Sequence, residues 1–233
     1  MRNFIVIPEL NIAYLPIPKN ACSTIKHLLY LLSNNTKYLN RQKANGEVIY
    51  IHDYYLQRTK ELEEQNNYFK FVIVREPIKR LLSAYSNRVL HHQELSEQRL
   101  EKRSIEMENI PYNPEINTFI NYLEQYKKVP DIEHHTALQS EFLFHSLDGL
   151  DRIYKVEELD RVFRPEIQKL VKQEVVLTKY QTGGKKINLE ELNEDSFNKL
   201  LEYTKKDYEL LKDYYSSENI IQEYQQCLDS VKV

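Results

Sequence analysis

Hydrophobic and polar residues alternate along the chain in two kinds of period. Ile12-Ala13-Tyr14-Leu15-Pro16-Ile17-Pro18 is a short apolar run closed by prolines, which predicts a buried strand. Ile25, Leu28, Leu29 and Leu32 then recur at helical spacing, so a helix follows, with Asn20 or Ser23 as its cap and Asn34-Asn35-Thr36 as its end. Val48-Ile49-Tyr50-Ile51 is a second apolar run, with a polar helix expected after it up to about Gln65. Phe69 to Arg75 is the clearest strand, because its near-continuous apolar run suits a parallel strand buried on both faces. Glu76-Pro77 opens a helix that carries Ile78, Leu81, Leu82, Tyr85 and Val89. Strand, loop and helix thus occur in that order twice, at 12–33 and 69–92. Residues 93–114 are highly charged and read as a solvated helix and loop. Helices are predicted at 115–127 and 157–173, a strand at 151–156, and a helical last third from Leu189. Thr182-Gly183-Gly184-Lys185-Lys186 is the best loop signal. Strands alternating with helices predict an α/β domain with a mainly parallel central sheet flanked by helices and a helical C-terminal part.

Composition narrows the function. The chain has 233 residues, 41% hydrophobic and 29% charged, which excludes a largely disordered protein and suits one domain over 1–233. A net charge of −3 excludes a global basic field for nucleic acid but leaves room for a local basic pocket. Four glycines argue against a Gly-rich phosphate loop, and two cysteines, Cys22 and Cys227, cannot form a disulfide framework or a four-Cys zinc site. No stretch approaches the roughly 18 apolar residues of a membrane span. The expected location is the cytoplasm, and no metal-ligand constellation is visible.

Ligands of open parallel sheets sit beyond the C-terminal ends of the strands. Two segments fall there. Pro18-Lys19-Asn20-Ala21-Cys22-Ser23-Thr24 leads into a helix, whose first N–H groups favour an anion, with Lys19 adding a positive charge and Ser23 and Thr24 hydroxyl donors. The same residues also read as an ordinary capped helix start. Arg75 ends the second strand and Ser83 follows on its helix, and an Arg–Ser pair can bind one phosphate. Arg75 taken alone reads first as the partner of a nearby carboxylate.

Together the two segments resemble the cosubstrate motifs of sulfotransferases that use 3′-phosphoadenosine 5′-phosphosulfate (PAPS). Pro18 to Lys26 resembles the 5′-phosphosulfate loop of the carbohydrate sulfotransferase branch, and Phe71 to Tyr85 its 3′-phosphate motif. His135-Thr136-Ala137-Leu138-Gln139 is similar to an H-x-x-P-Q stretch, with Leu138 in place of Pro. Tyr154 to Leu159 resembles the late strand, and Tyr203 to Tyr214 the terminal helix. The resemblance implies a P-loop-like α/β fold without a Walker loop or metal, and PAPS as cosubstrate. By position it places Lys19 on the phosphosulfate and leaving oxygen, Asn20, Ala21, Cys22, Ser23 and Thr24 on the 5′ end, and Arg75 and Ser83 on the 3′-phosphate. It also sets Gly183 to Lys186 where the family often closes over the nucleotide.

Sulfuryl transfer builds charge on the bridging oxygen, so a lysine aimed there lowers the barrier. The acceptor hydroxyl must lose a proton, and imidazole is the usual base. Of 7 histidines, His52 is the first candidate, because the family's base tends to follow the first helix in this region; His135 is the second, and a buried Glu157 could substitute. A Cys-based phosphatase fails, since Leu28 stands where Cys22-x5-Arg needs arginine. A nucleotide kinase would need Walker glycines and a magnesium carboxylate. A degenerate relative that only binds nucleotide is opposed by the intact Lys19, Arg75 and Ser83. The expected acceptor is a glycan or glycolipid precursor, with a small alcohol, a phenol or a peptide tyrosine as the alternatives, and the chain reads as a compact bacterial version of the family. Oligomeric state is not legible.

Overall fold

The computed structural model describes residues 2–44, 46, 48–61, 67–178, 180 and 184–231. Its strands are β1 (Asn3–Ile7), β2 (Ile12–Leu15), β3 (Arg41–Gln42), β4 (Val48–Ile49), β5 (Thr59–Glu61), β6 (Phe69–Val74) and β7 (Arg152–Lys155). The helices begin with α1 (Cys22–Asn34), α2 (Ile51–Leu56), α3 (Pro77–Tyr85), α4 (Glu97–Lys102), α5 (Ile116–Asn121) and α6 (Leu123–Tyr126). They continue with α7 (Pro130–Thr136), α8 (Gln139–Phe142), α9 (Arg164–Val171), α10 (Glu194–Leu210) and α11 (Ser217–Val231). The chain divides into two compact units, one of residues 1–75 and 146–182, the other of 76–145 and 183–233.

The first unit holds a five-stranded sheet in the order β5-β1-β2-β6-β7. β6 lies inside the sheet with parallel neighbours on both sides, β2 and β7, with Leu15 opposite Val72 and Val74 opposite Lys155. That position explains the continuous apolar run: Phe71, Val72, Ile73 and Val74 are fully buried. β1 and β5 extend the sheet with antiparallel pairs, so the expected parallel core carries an antiparallel edge. One core binds this unit, with Ile25, Leu28, Leu29 and Leu32 of α1 against Tyr14, Phe71, Ile73 and Tyr154 of the sheet. The helical period of α1 is therefore a packing period, as read from sequence.

Two local expectations are corrected. Neither Asn20 nor Ser23 caps α1: the residue before the helix is Ala21, in a left-handed conformation and with no side-chain cap. The long polar helix after residue 51 is only α2, which ends at Leu56, and Thr59–Glu61 instead joins the sheet as β5. Edge pairing with β1 satisfies that backbone, and a local polar pattern cannot announce it. Residues 62–66 lie outside the described set.

The second unit is helical and has its own core, built from Ile78, Leu82 and Tyr85 of α3, Phe119 and Ile120 of α5, and Phe197 and Leu200 of α10. Two of the weaker sequence echoes, 135–139 and 203–214, meet inside it. Asp207 accepts hydrogen bonds from the N–H groups of Gln139 and Ser140, at 2.9 and 2.7 Å, and Tyr203 donates to the Thr136 carbonyl. In the charged 93–114 stretch, Glu94 is 4% exposed at its side chain and pairs with Arg88, Arg99 and Arg103, so part of that stretch is anchored rather than solvated. Of the expected glycine loop, Thr182 and Gly183 lie outside the described residues. Gly184 has φ +102, and a Cβ there would stand 2.7 Å from the Ser86 carbonyl oxygen, so this close approach requires glycine. Lys185 pairs with Glu191 at 2.8 Å.

Candidate active site

The loop between β2 and α1 is built under backbone strain. Lys19 and Ala21 both have positive φ, 69° and 57°, a region that costs a non-glycine residue roughly 1–2 kcal/mol. Such strain persists only where surrounding contacts impose it. Here they are identifiable. Asn20 is fully buried and its amide donates to the Ile73 carbonyl at 2.9 Å, which ties the loop to β6. Arg75, just past the end of β6, donates to the Lys19 carbonyl at 3.1 Å. The loop is thus clamped from the neighbouring strand on both sides of its tightest turn.

This shape sets the start of α1. The first N–H groups of a helix have no intrahelical acceptor. Ala21, the residue before Cys22, Ser23 and Thr24, offers them no side-chain cap, and they open a helix of 13 residues. Ser23 and Thr24 are buried, Lys19 and Cys22 half-buried. A helix start of this kind, with a lysine one turn before it, suits a phosphate or sulfate group. Among the described residues no group of three His, Cys, Asp or Glu could hold a metal ion.

His52 lies at the second position of α2, and its ring reaches α1. Nε2 is 3.0 Å from Ser23 Oγ and Nδ1 is 3.0 Å from Lys26 Nζ. The ring is therefore held against the first turn and a half of α1. Tyr50 precedes α2, and its backbone N–H is held by Asp53 at 2.8 Å, which fixes the entry of that helix. Lys26 is 9% exposed, and burial pushes its ammonium below the ordinary lysine value, against opposing attraction from Cys22 and Asp53.

The sequence-predicted residues divide between the two units. Lys19, Asn20, Ala21, Cys22, Ser23, Thr24, His52 and Arg75 are brought together in the first. Ser83 and His135 belong to the second. Ser83 is half-buried on α3, and His135, at the end of α7, has Nδ1 2.8 Å from the Asp131 carbonyl, to which it donates. Glu157, the alternative base, lies in the short turn after β7 and is exposed. Lys26, beside His52, is a residue the sequence reading did not single out. Its spacing of three from Ser23 puts both on one face of a helix, which was the available signal.

Residues 2–219 match a family model described as the sulfotransferase family. Carbohydrate sulfotransferase 14 of Mus musculus is 33% identical over 92 residues, which is 38% of this chain and 24% of that protein. Carbohydrate sulfotransferase 14 of Homo sapiens is 30% identical over 92 residues, with the same coverage of 38% and 24%. Carbohydrate sulfotransferase 11 of Danio rerio is 29% identical over 97 residues, 38% of this chain and 26% of the relative. The chain spans about a quarter of the length of these curated relatives. No solved structure matches it.

Proposed function

Since the chain belongs to the sulfotransferase family, we propose that it transfers a sulfuryl group from PAPS to a hydroxyl of a glycan. The observation that carries this reading is the strained, clamped loop from Lys19 to Thr24 with the His52 ring turned onto it through Ser23. PAPS supplies the sulfuryl group and a bisphosphate leaving group. The residues present fit its 5′ end: a helix start that Ala21 does not cap, two hydroxyls and one lysine lie on one short segment.

Each side chain then has a separable task. Lys19 stabilises charge on the departing oxygen, an interaction stronger in the transition state than in the ground state. Ser23, Thr24 and the first N–H groups of α1 orient the anion. Arg75 holds the Lys19 carbonyl and so fixes the loop, and its guanidinium also serves the nucleotide's second phosphate. His52 takes the acceptor proton. The glycan acceptor rests on the relatives, whose names specify carbohydrate sulfotransferases.

Calorimetry tests the donor half. Adenosine 3′,5′-bisphosphate should bind much more tightly than AMP, and Arg75→Ala should erase most of that preference, since losing a charged partner of a phosphate costs roughly 2–5 kcal/mol. Equal affinity of the wild-type protein for both nucleotides would remove the PAPS reading. Sulfur-labelled PAPS offered with a panel of glycans, small alcohols and phenols tests the acceptor half, and label appearing only on the non-carbohydrates would overturn it.

A further inference from the structure

Lys26 has no task in the reading above, yet it is buried and points at the proposed base. Its Nζ stands 3.0 Å from Nδ1 of His52, while Nε2 of the same ring is 3.0 Å from Ser23 Oγ. The three groups form one line, from the anion loop into the interior between α1 and α2.

Hydrogen-bond chemistry allows this line two proton arrangements. An ammonium has donors only, so a charged Lys26 donates to Nδ1 and forces the proton of a neutral ring onto Nε2, which then donates to Ser23. In that arrangement neither ring nitrogen can take a proton from an acceptor. An amine can accept instead. Neutral Lys26 takes a hydrogen bond from Nδ1–H, and the Nε2 lone pair then faces Ser23 and the loop. The heavy atoms stay where they are in both arrangements.

We propose that Lys26 is the positioning and proton-relay partner of His52, and that the base is competent only when Lys26 is an amine. This rests on the reading of His52 as the base. In the transfer step the acceptor O–H bond breaks and its proton goes to Nε2. The acceptor oxygen bonds sulfur as the bond from sulfur to the bridging oxygen breaks, and that electron pair leaves with the phosphate. The Nδ1 proton passes to the Lys26 amine. The step ends with a lysine ammonium and a neutral histidine protonated on Nε2; release of the Nε2 proton to solvent and return of the lysine proton to Nδ1 restore the start. The titratable groups facing Lys26 are Cys22 on its own helix and His52 and Asp53 on α2. Burial favours the amine, and Cys22 and Asp53 favour the ammonium.

The test reads the ring directly and needs no acceptor. The full chain is labelled with nitrogen-15 histidine, His52 is assigned from the spectrum of His52→Gln, and the ring shifts are followed from about pH 6.5 to about 10.4, the ordinary His and Lys values. The wild-type ring should change from the Nε2–H to the Nδ1–H tautomer, with a midpoint below that of free lysine. Lys26→Arg, a permanent donor, should hold the Nε2–H form throughout, and Lys26→Met should show no step. A wild-type ring with no tautomer change, or a Lys26→Arg ring that changes like wild type, overturns the proposal. In turnover assays with an acceptor found in the glycan panel, Lys26→Arg should lose about 100-fold or more in kcat, within the range for a general base. Lys26→Gln, whose amide oxygen can accept from Nδ1–H, should retain more activity than Lys26→Arg. Bisphosphate affinity near wild type shows that the variants are folded. His52→Ala run in parallel separates the two ideas: if it keeps full turnover, the base assignment fails. If it is inactive while Lys26→Arg is not, the relay alone fails.

Discussion

The chain makes the passage from parallel strand to helix twice, and finishes the two helices in opposite ways. After β6, Glu76 stands before Pro77 with ordinary negative φ, and its carboxylate accepts the Lys79 N–H at 2.7 Å. Tyr208 of α10 donates to the other carboxylate oxygen. The start of α3 is therefore closed by a side chain and buried. After β2 the residue before the helix is Ala21, left-handed and without a side-chain cap, and the loop is clamped from β6 instead. A closed start stabilises the fold. A start whose preceding residue offers no cap is held by distant contacts instead, at a cost in backbone strain. The difference lies in one residue: a carboxylate at Glu76, and a side chain with no hydrogen-bonding group at Ala21.

The contrast predicts that substitutions at one junction act on turnover and at the other on stability. Lys19→Ala should lower kcat by about 10²–10³-fold, the usual effect of removing one preorganised oxyanion donor, with little change in unfolding free energy. An unchanged kcat would break the functional half of the comparison. Glu76→Ala should destabilise the protein by about 2–4 kcal/mol in urea unfolding, from a lost cap and a buried tyrosine hydroxyl left without its acceptor.

Glu76→Gln sharpens the same point through pH. Burial raises the Glu76 carboxyl above the ordinary value, against opposing hydrogen bonds from Tyr208 and from the Lys79 and Ile78 N–H groups. Between the unfolded value and this raised one, the native state binds more protons than the unfolded state. Stability should fall as pH rises through that window in the wild type relative to Glu76→Gln, and parallel profiles of melting temperature against pH would refute it. The smallest effect belongs to Ala21→Gly. Relief of the left-handed strain and the greater freedom of glycine in the unfolded chain oppose each other, so the net gain should be about 1 kcal/mol or less. A loss of stability would show that the Ala21 methyl is itself a packing group.

Regularities that repeat along the chain were legible without coordinates. The apolar run from Phe69 to Val74 announced an interior parallel strand, and the spacing of Ile25, Leu28, Leu29 and Leu32 announced the buried face of α1. The cluster from Lys19 to Thr24 could be proposed from sequence because the anion chemistry of a helix start is carried by neighbours along the chain. The choice of His52 came from family resemblance, and its contact with Ser23 is a fact of the tertiary structure.

The tertiary structure decided the rest, because each remaining feature pairs residues far apart in the chain. Asn20 reads as a cap by propensity, yet its amide is taken by the Ile73 carbonyl, 53 residues on, and that contact pulls it away from α1. Thr59–Glu61 reads as helix, yet an edge of the sheet was waiting for it. Glu76 reads as an ordinary helix start until Tyr208 buries it. Lys26 is one of many lysines in the sequence, and only the folding of α2 against α1, which sets its ammonium beside His52, gives it a chemical environment different from theirs. Propensity and periodicity are sums of local energies, so sequence displays them; a hydrogen bond across 26 or 53 residues depends on how the whole unit packs, and only the packed unit reveals it.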